Sequence, residues 1–365
     1  MVRINRSRFK NSGEQKEKLI MIVLALLLIV FVCSVPLCSK AHAENVSSSM
    51  ITIDARDGEI LRGENINTRL PMASTTKIMT ALLAVKSNKL YDIVTIKKES
   101  TNIEGSSIYL KEGEKYQLID LVYGLMLRSG NDSADAIARY LGGSVEGFVK
   151  MMNDEVSRLK LKNTHFVNPH GLHDNNHYTS AYDLAMITKE ALSNKDFAKI
   201  SKTKVHKFVD SEGVTKVFVN KNKMLGSYDG TIGVKTGYTK KAGKCLVSAV
   251  ERDGLKLITV VLNHPNMWGD SMSYFDSVFN GANNVLYAKA GSIVKSVKNS
   301  NGEIINLGVK EDINLKLLKN HSYSLHHKII YNHFALNNVK KDEKIGKILI
   351  FNGKHLIFTQ NIYNI

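Results

Sequence analysis

An apolar helical pattern begins in the stretch Met72-Ala73-Ser74-Thr75-Thr76-Lys77-Ile78-Met79-Thr80 and continues to Val85. Residues three apart on a helix are neighbours, at about 5 to 6 Å between Cβ atoms, so Lys77 is predicted to stand beside Ser74. A serine hydroxyl needs an adjacent base to act as a nucleophile, and Lys77 is such a base if burial or a second cation keeps it neutral. The alternative is a helix cap at Ser74 followed by a solvated lysine.

The pattern Ser-x-x-Lys is weak by itself, because it occurs five times in the chain, beginning at Ser7, Ser74, Ser157, Ser201 and Ser292. Only the copy at Ser74 follows a predicted strand hairpin and a proline and opens an apolar helix. This context favours Ser74 as the candidate nucleophile.

The chain around this stretch predicts helices in the middle and strands at both ends. Met50 to Asp54 and Glu59 to Arg62 form a hairpin pattern with a turn between them. Further helical patterns cover residues 118–127, 132–141 and 180–192, and further strand patterns cover residues 231–237, 245–250 and 255–262. This order predicts one α+β domain whose sheet joins both ends of the domain.

The residue pattern of the sequence changes at about Ala288. From there short β-branched runs, such as Ile345 to Phe351 and Leu356 to Thr359, alternate with turn signals, which predicts a small all-β domain. The predicted division of the chain is residues 1–43 as a leader, residues 44–287 as the α+β domain and residues 288–365 as the C-terminal β-domain.

The leader has the pattern of an export signal. A basic segment precedes an uncharged stretch from Leu19 to Ser39, and Ala41-His42-Ala43 is the small-x-small pattern that signal peptidase cleaves. The alternative is an uncleaved N-terminal membrane anchor, because the apolar stretch is near the length that spans a bilayer. The rest of the chain is expected outside the cytoplasm, in the cell wall or at the outer face of the cytoplasmic membrane.

The composition indicates a folded, basic protein that anionic surfaces would attract. The chain has 365 residues, of which 43% are apolar, and a formal net charge of +16. These values exclude disorder and predict attraction to an anionic cell wall or membrane surface, while export and the lack of arginine clusters argue against a nucleic-acid partner. Cys33 and Cys38 belong to the leader, so Cys245 remains alone and no intrachain disulfide is predicted.

A second motif, Lys235-Thr236-Gly237, lies on a predicted late strand. Lys235 and Thr236 offer a cation and a hydroxyl to a carboxylate, and Gly237 on an edge strand permits close approach by a ligand. The alternative interpretation is a turn after a strand.

A third motif, Ser129-Gly130-Asn131, lies between two predicted helices. A hydroxyl there could pass a proton to a leaving amine, and an amide could hold the carbonyl of a substrate backbone. The alternative is purely structural, with Gly130 ending one helix and Asn131 or Asp132 capping the next.

The order of the three motifs resembles that of class A β-lactamases and penicillin-binding proteins. The flanking sequence is similar to the low-molecular-mass penicillin-binding proteins that are serine-type D-alanyl-D-alanine carboxypeptidases. This resemblance covers about Ser49 to Ala282, and the tail resembles the C-terminal β-domain of that family. It implies a β-lactamase/transpeptidase-like α+β domain followed by a small all-β domain. The segments that carry it besides 72–80 are 168–172, 177–184 and 233–239.

The resemblance also implies roles for single residues. Ser74 would be the acyl-enzyme nucleophile, Lys77 its general base, Ser129 a proton relay and Asn131 a substrate ligand. The terminal carboxylate would bind Lys235 and Thr236 beside Gly237, and the backbone N–H groups of Ser74 and Tyr238 would form the oxyanion hole. The implied substrate is the peptidoglycan stem peptide, with β-lactam antibiotics as inhibitors and neither a metal nor another cofactor.

Two departures from the family pattern bear on specificity and attachment. Many relatives carry an arginine downstream of Lys-Thr-Gly near the substrate carboxylate, whereas residues 264–270 contain none. Some relatives end in an amphipathic anchoring helix, and the last residues here, 361–365, lack that pattern.

Three other functions are compatible with parts of the sequence. A metallopeptidase would use His165, His170, His173 and His177, but the spacing lacks His-Glu-x-x-His, so no metal site is predicted. A class A β-lactamase needs a Glu-x-x-Leu-Asn segment for deacylation, and the nearest approach, at Glu190, lacks the leucine, so slow deacylation is expected. A non-catalytic wall-binding protein is disfavoured because every expected polar group is present.

Overall fold

The computed structural model describes residues 48–319 and 321–365, together with Lys16–Lys18, Ile20, Met21 and Val23, which are helical. The predicted export signal therefore lies mostly outside the described residues, which include only Ile20, Met21 and Val23 of its apolar stretch and none of its cleavage pattern. In the described part of the chain, no helix has both the length and the apolarity needed to cross a membrane. The chain divides into two compact units, residues 1–46 and 47–365.

The α+β part of the larger unit contains strands β1 (Ser49–Asp54), β2 (Ile60–Glu64), β3 (Ile93–Thr95), β4 (Lys115–Gln117), β5 (Val205–Val209), β6 (Thr215–Val219), β7 (Thr231–Thr239), β8 (Gly243–Arg252) and β9 (Leu255–Leu262). Its helices are α1 (Lys77–Lys86), α2 (Leu118–Tyr123), α3 (Asn131–Gly142), α4 (Val145–Arg158), α5 (Ala181–Ser193), α6 (Lys195–Lys202), α7 (Met224–Ser227) and α8 (Met267–Gly281). Single turns of 3-10 helix occupy Ala73–Thr76 and Lys98–Ser100, and a π-helical turn occupies Gly124–Arg128.

Five strands form one antiparallel sheet in the order β2-β1-β9-β8-β7. The hydroxyls of Thr52 on β1 and Thr259 on β9 lie 2.7 Å apart across a sequence separation of 207 residues. The first strands of the domain therefore pair with the last ones, which confirms the prediction of a sheet that joins both ends.

Alternate residues of β8 face two different cores, because successive side chains of a strand point to opposite faces of the sheet. Val247 and Ala249 belong to the larger core, which includes α1 and α5. Leu246 and Val250 belong to a smaller core with Phe275 of α8. The sheet is therefore covered by helices on both faces, and α1 is buried along its length from Lys77 to Val85.

The C-terminal part is all β, as predicted. Its strands are β10 (Asn283–Ala288), β11 (Ile293–Lys298), β12 (Ile304–Gly308), β13 (Ile313–Leu317), β14 (Leu325–Tyr331), β15 (Lys344–Asn352) and β16 (His355–Asn364), with a 3-10 segment at His333–Asn338. A five-stranded sheet, in the order β11-β12-β16-β15-β14, and the ribbon β10-β13 enclose a separate core. The N–H of Lys316 donates to the carbonyl of Asp253 in the β8–β9 turn, so this part contacts the α+β domain.

The predicted helix over residues 74–85 differs from the observed one at its start. Residues 73–76 form a 3-10 turn and the α-helix begins only at Lys77. The predicted helix over 118–127 likewise becomes a π-helical turn after Tyr123. Both departures occur next to candidate site residues, Ser74 in the first case and Ser129 in the second.

Candidate active site

Ser74 lies half-buried in the 3-10 turn that precedes α1. The turn is held by its own side chains, since the hydroxyl of Thr75 donates to the carbonyl of Met72 at 2.6 Å. Ala73 has φ +47, in the left-handed region that non-glycine residues rarely adopt. The backbone is therefore strained immediately before the candidate nucleophile, a position where such strain is often found in active sites.

The segment Asn168–Leu172 packs against this turn. The Asn168 side chain closes the segment, because its Oδ1 accepts the N–H of Gly171 at 2.7 Å and its Nδ2 donates to the carbonyl of Leu172 at 2.9 Å. Gly171 has φ +92, and a Cβ at this position would lie only 1.9 Å from the carbonyl oxygen of Ala73. Only glycine allows the two backbones to approach this closely.

Gly171→Ala is expected to destabilise the fold by about 3 kcal/mol or more, because it adds a backbone clash to the strain of a positive φ. Gly213→Ala is the matched control, since Gly213 has φ +79 and open space around its Cα, and should lose only about 1 to 2 kcal/mol. Thermal unfolding measures both losses. Equal losses in the two variants would show that the contact with Ala73 is not tight.

Lys77 is fully buried, and its Nζ contacts three oxygen atoms of uncharged groups. Nζ lies 3.0 Å from Ser74 Oγ, 2.6 Å from Asn131 Oδ1 and 2.6 Å from the carbonyl oxygen of His170. Burial, and after it the charge of Lys235, holds the pKa of Lys77 well below its ordinary value, although the charge of Asp132 opposes the shift. The amine is therefore disposed to be neutral.

The contacts of a neutral Lys77 fix the direction of its lone pair. Asn131 Nδ2 donates to the carbonyl of Glu104, which turns its Oδ1 toward Lys77. Asn131 Oδ1 and the His170 carbonyl are acceptors, so they take the two N–H groups of a neutral amine. The lone pair then points at Ser74 Oγ, where it can accept the proton of the hydroxyl.

Ser129 and Lys235 form a second contact beside the first. Ser129 ends the π-helical turn with φ +66, and its Oγ lies 3.1 Å from Lys235 Nζ. Lys235 also donates to the carbonyl of Thr236 at 3.0 Å and is 2% exposed. Burial, followed by the charge of Lys221, lowers the pKa of Lys235 to about 7.

The three-residue motif at 129–131 links the two lysines. Gly130, with φ −57 and ψ 119, separates the π-helical turn from α3. Ser129 contacts Lys235 on one side of it, and Asn131 contacts Lys77 on the other. The structural interpretation of this motif is therefore incomplete, because both polar side chains reach a buried lysine.

Strand β7 passes close to the serine turn at Gly237. A Cβ at Gly237 would lie 3.1 Å from the backbone nitrogen of Ser74 and 3.1 Å from the carbonyl oxygen of Met72. Thr236 is half-buried, whereas the side chain of Tyr238 is 66% exposed. The structure thus brings together candidate residues from three sequence segments that lie about 50 and about 100 residues apart along the chain.

Two groups at the site were not found by sequence reasoning. The backbone carbonyl of His170 could not be identified from the sequence, because every residue has a backbone carbonyl. Asp132 follows the third motif and is fully buried, where its carboxylate accepts hydrogen bonds from the Ser107 hydroxyl and from the backbone N–H groups of Ile108 and Leu110. These hydrogen bonds fix residues 107–110, which follow the Glu104 carbonyl that Asn131 contacts.

The groups named by the alternative functions have other partners. Among the described residues, no three histidine, cysteine, aspartate or glutamate side chains converge as metal ligands. His165 Nδ1 contacts the carbonyl of Asn176. Glu190 forms ion pairs with Lys86 and Arg158, so its carboxylate is engaged away from Ser74. Cys245 is buried, and burial raises the pKa of its thiol to about 11.

The fold and the site together define a serine hydrolase in which a buried lysine stands beside the candidate nucleophile. Comparison with known sequences agrees: the profile of the D-alanyl-D-alanine carboxypeptidase family matches residues 38–266, and the profile of the C-terminal domain of penicillin-binding protein 5 matches residues 283–364. The chain therefore belongs to the D-alanyl-D-alanine carboxypeptidase family, as the sequence motifs predicted.

Relatives span different shares of the chain. The D-alanyl-D-alanine carboxypeptidase DacF of Bacillus subtilis (strain 168) is 38% identical over 222 residues, which are 59% of this chain and 57% of that protein. DacA of Escherichia coli (strain K12) is 30% identical over 344 residues, 85% of this chain and 84% of that one. Penicillin-binding protein 5 from Haemophilus influenzae matches in structure with a TM-score of 0.61 and 27% identity, covering 86% of this chain and 95% of that chain.

Proposed function

We propose that the chain is a serine-type D-alanyl-D-alanine carboxypeptidase that removes the terminal D-alanine from peptidoglycan stem peptides through an acyl-enzyme on Ser74. The observation that carries this proposal is the 3.0 Å contact between Ser74 Oγ and a buried Lys77 whose other contacts are two acceptor oxygens. Family membership supplies the reaction and the substrate class.

Acylation requires Lys77 to act as general base. As Ser74 Oγ bonds to the carbonyl carbon of the penultimate D-alanine, its proton passes to Lys77 Nζ. The negative oxygen of the tetrahedral intermediate accepts hydrogen bonds from the N–H groups of Ser74 and Tyr238. The peptide bond then breaks, its nitrogen receives a proton through Ser129, and D-alanine leaves. Water hydrolyses the resulting ester and regenerates the serine.

Substrate recognition uses the residues around this centre. Lys235 and Thr236 bind the terminal carboxylate, since a buried ammonium with a neighbouring hydroxyl makes charge-assisted hydrogen bonds. The close approach of β7 to the serine turn at Gly237 lets the substrate backbone lie against the strand. Asn131 has two roles, since it orients Lys77 and also binds the substrate. The same geometry accepts a β-lactam ring, and slow hydrolysis of the acyl-enzyme makes such compounds inhibitors.

The proposal extends to the cellular setting of the enzyme. Residues 1–43 direct export and residues 44–287 correspond to the catalytic domain, with strand β10 (Asn283–Ala288) leading into the β-domain of residues 288–365. The mature chain lies in the cell wall or at the outer face of the cytoplasmic membrane. Its excess of basic side chains, 50 against 34 acidic ones in the whole chain, favours an anionic wall or membrane surface over nucleic acid.

Incubation with a stem pentapeptide ending in D-Ala-D-Ala tests the proposal. We expect a product that is shorter by one D-alanine, detected by mass spectrometry together with free D-alanine. Release of a dipeptide, or no release by a folded protein that reacts with penicillin, would contradict a carboxypeptidase function.

A substrate with an amidated C-terminus is expected to react about 10- to 100-fold more slowly in kcat/KM than the free acid. It lacks the carboxylate that pairs with Lys235, and a charge-assisted hydrogen bond contributes about 1.5 to 3 kcal/mol. Lys235→Gln should remove most of this preference. Lys244→Gln is the matched control, because Lys244 lies on the neighbouring strand with its Nζ on the carbonyl of Pro265, and should keep it.

The preference for the free acid is expected to fall with rising pH. Lys235, with its pKa lowered to about 7, is a cation below that pH and loses its charge above it, while the substrate carboxylate stays ionised from pH 6 to 9. The ratio of kcat/KM for the free acid to that for the amide should therefore decline across neutral pH. A constant ratio would mean that Lys235 is not the carboxylate ligand.

A further inference from the structure

A chain of buried hydrogen bonds leads from the segment 165–178 to the serine turn. Its first member is His177, which is 3% exposed. His177 Nδ1 accepts the backbone N–H of Val167 at 3.0 Å, so Nδ1 carries no proton in the neutral ring and Nε2 carries it. Nε2 lies 2.7 Å from Thr76 Oγ1. His177 is therefore the donor and Thr76 the acceptor.

Thr76 passes the chain on to the backbone. Because its Oγ1 accepts from His177, its own O–H is free to donate, and Oγ1 lies 2.9 Å from the carbonyl oxygen of Ala73. Both Thr76 and Ala73 are buried, so water does not replace these partners. The carbonyl of Ala73 belongs to the same peptide group as the N–H of Ser74.

We propose that His177 and Thr76 are positioning residues, which aim the Ser74 N–H at the oxyanion of the tetrahedral intermediate by holding the other end of its peptide group. The inference rests on the proposed function, in which that N–H is an oxyanion donor. A peptide group is planar, so a hydrogen bond that fixes the direction of its C=O also fixes the direction of its N–H.

The surroundings of Ala73 make such a restraint necessary. Its φ of +47 is unfavourable for a residue with a Cβ, so the backbone at Ala73 is strained and must be held in place by its neighbours. The backbone of Gly171 lies against the Ala73 carbonyl and limits rotation on one side. The hydroxyl of Thr76 provides the directional bond that sets the angle.

The direction of the chain does not change with pH in the working range of the enzyme. Burial lowers the pKa of His177 to about 3, with smaller lowering effects from the charges of His165, His173 and Lys77 and an opposing effect from Asp174. The ring stays neutral, with one acceptor and one donor nitrogen. Successive hydrogen bonds in a buried chain also polarise one another, which makes the Ser74 N–H a better donor.

The test compares Thr76→Val with Thr76→Ser. Valine keeps the shape of threonine but cannot accept from His177 or donate to Ala73, whereas serine can do both. We expect Thr76→Val to lower the rate of acylation by penicillin, and kcat for stem peptide, about 10- to 100-fold. This loss is smaller than the 10²- to 10³-fold loss when an oxyanion donor is removed outright. Thr76→Ser should stay within about 3-fold of the wild type.

Thr188→Val is the matched control for loss of a buried hydroxyl. Thr188 is fully buried in α5, and its Oγ1 donates to the carbonyl of Leu184 at 2.7 Å. It should lower the melting temperature without changing the acylation rate. A Thr76→Val protein that is acylated at the wild-type rate, or a Thr188→Val protein that is slowed equally, would overturn the inference.

A second variant keeps the test decisive if Thr76→Val does not fold. His177→Asn retains a side-chain acceptor for the Val167 N–H but removes the donor to Thr76, and should slow acylation about 3- to 10-fold at unchanged KM. A wild-type rate in this folded variant would also overturn the inference. Failure of the proposed function has a different signature, because a Ser74→Ala protein would then still be acylated, whatever the rate of the Thr76 and His177 variants.

Discussion

Ser74→Ala protein is expected to gain no mass on treatment with penicillin, whereas the wild-type chain gains one penicilloyl group. The reason is that Ser74 Oγ is the hydroxyl that lies 3.0 Å from the buried amine of Lys77, and removal of a serine nucleophile leaves only the contribution of binding and of the oxyanion donors. D-alanine release should fall by about four orders of magnitude or more. Intact-mass spectrometry measures the adduct.

Ser157→Ala is the matched control, because it removes a serine from another Ser-x-x-Lys copy. The hydroxyl of Ser157 donates to the carbonyl of Asn153 at an exposed position in α4, so this variant should form the adduct at the wild-type rate. An adduct on Ser74→Ala protein, mapped to any other residue, would show that the nucleophile is assigned wrongly.

Lys77→Arg is expected to reduce kcat/KM by about 10³-fold, within the range that a general base contributes. Arginine cannot give up its proton at any working pH, so it cannot take the proton of Ser74. Its larger, permanently charged group must also occupy a fully buried position beside Lys235. Acylation by penicillin should slow by a similar factor, and thermal unfolding of the same preparation shows how much folded protein is present.

The wild-type pH profile provides an independent check on Lys77. The pKa of Lys77 lies well below the ordinary 10.5. In a plot of kcat/KM against pH, the rising limb should therefore have its midpoint well below pH 10.5. Lys235→Gln removes a nearby positive charge, which favours the protonated form of Lys77, so the limb should move to higher pH. A limb near pH 10.5 in the wild type, or a shift to lower pH in the variant, would contradict a neutral Lys77.

Sequence spacing predicted that residues within each motif lie close together, but not which motifs contact each other. Ser74 and Lys77 are three residues apart, and Ser129 and Asn131 are two apart, so each pair follows from helix or turn geometry. The contact between Lys235 and Ser129 spans 106 residues, and no local pattern encodes it. The family resemblance implied a role in one site for each of the two residues, and the structure adds the contact between them.

The backbone at Ser129 shows where propensity fails. The structural alternative for this motif had Gly130 ending the preceding helix, where glycine is the usual residue in the left-handed region. The structure has Ser129 at φ +66 and Gly130 at φ −57. The hydrogen bond from Lys235 and the π-helical turn before it hold Ser129 in that strained conformation. Tertiary contacts at a functional site override the local preference.

Helix α4 was not predicted, although its sequence is amphipathic. Phe148, Met152 and Val156 recur at the spacing of a buried helix face. Ser144 caps the helix, because its Oγ accepts the N–H of Gly147 at 3.0 Å, but Gly142 and Gly143 before the cap and Gly147 within the first turn resemble a loop. The signal was therefore present, and turn residues at the start of the helix concealed it.

The antiparallel sheet of the α+β domain has a consequence for the order of folding. Strand β1 lies between β2 and β9, so in a nascent chain the β1–β2 hairpin has no further partner in this sheet until β9 has emerged, and an isolated hairpin is marginally stable in water. Pairing across 207 residues has a high entropic barrier, which makes folding slow. A chain that stops at Arg252 lacks the strand that joins the hairpin to β8 and leaves two open edges prone to aggregation.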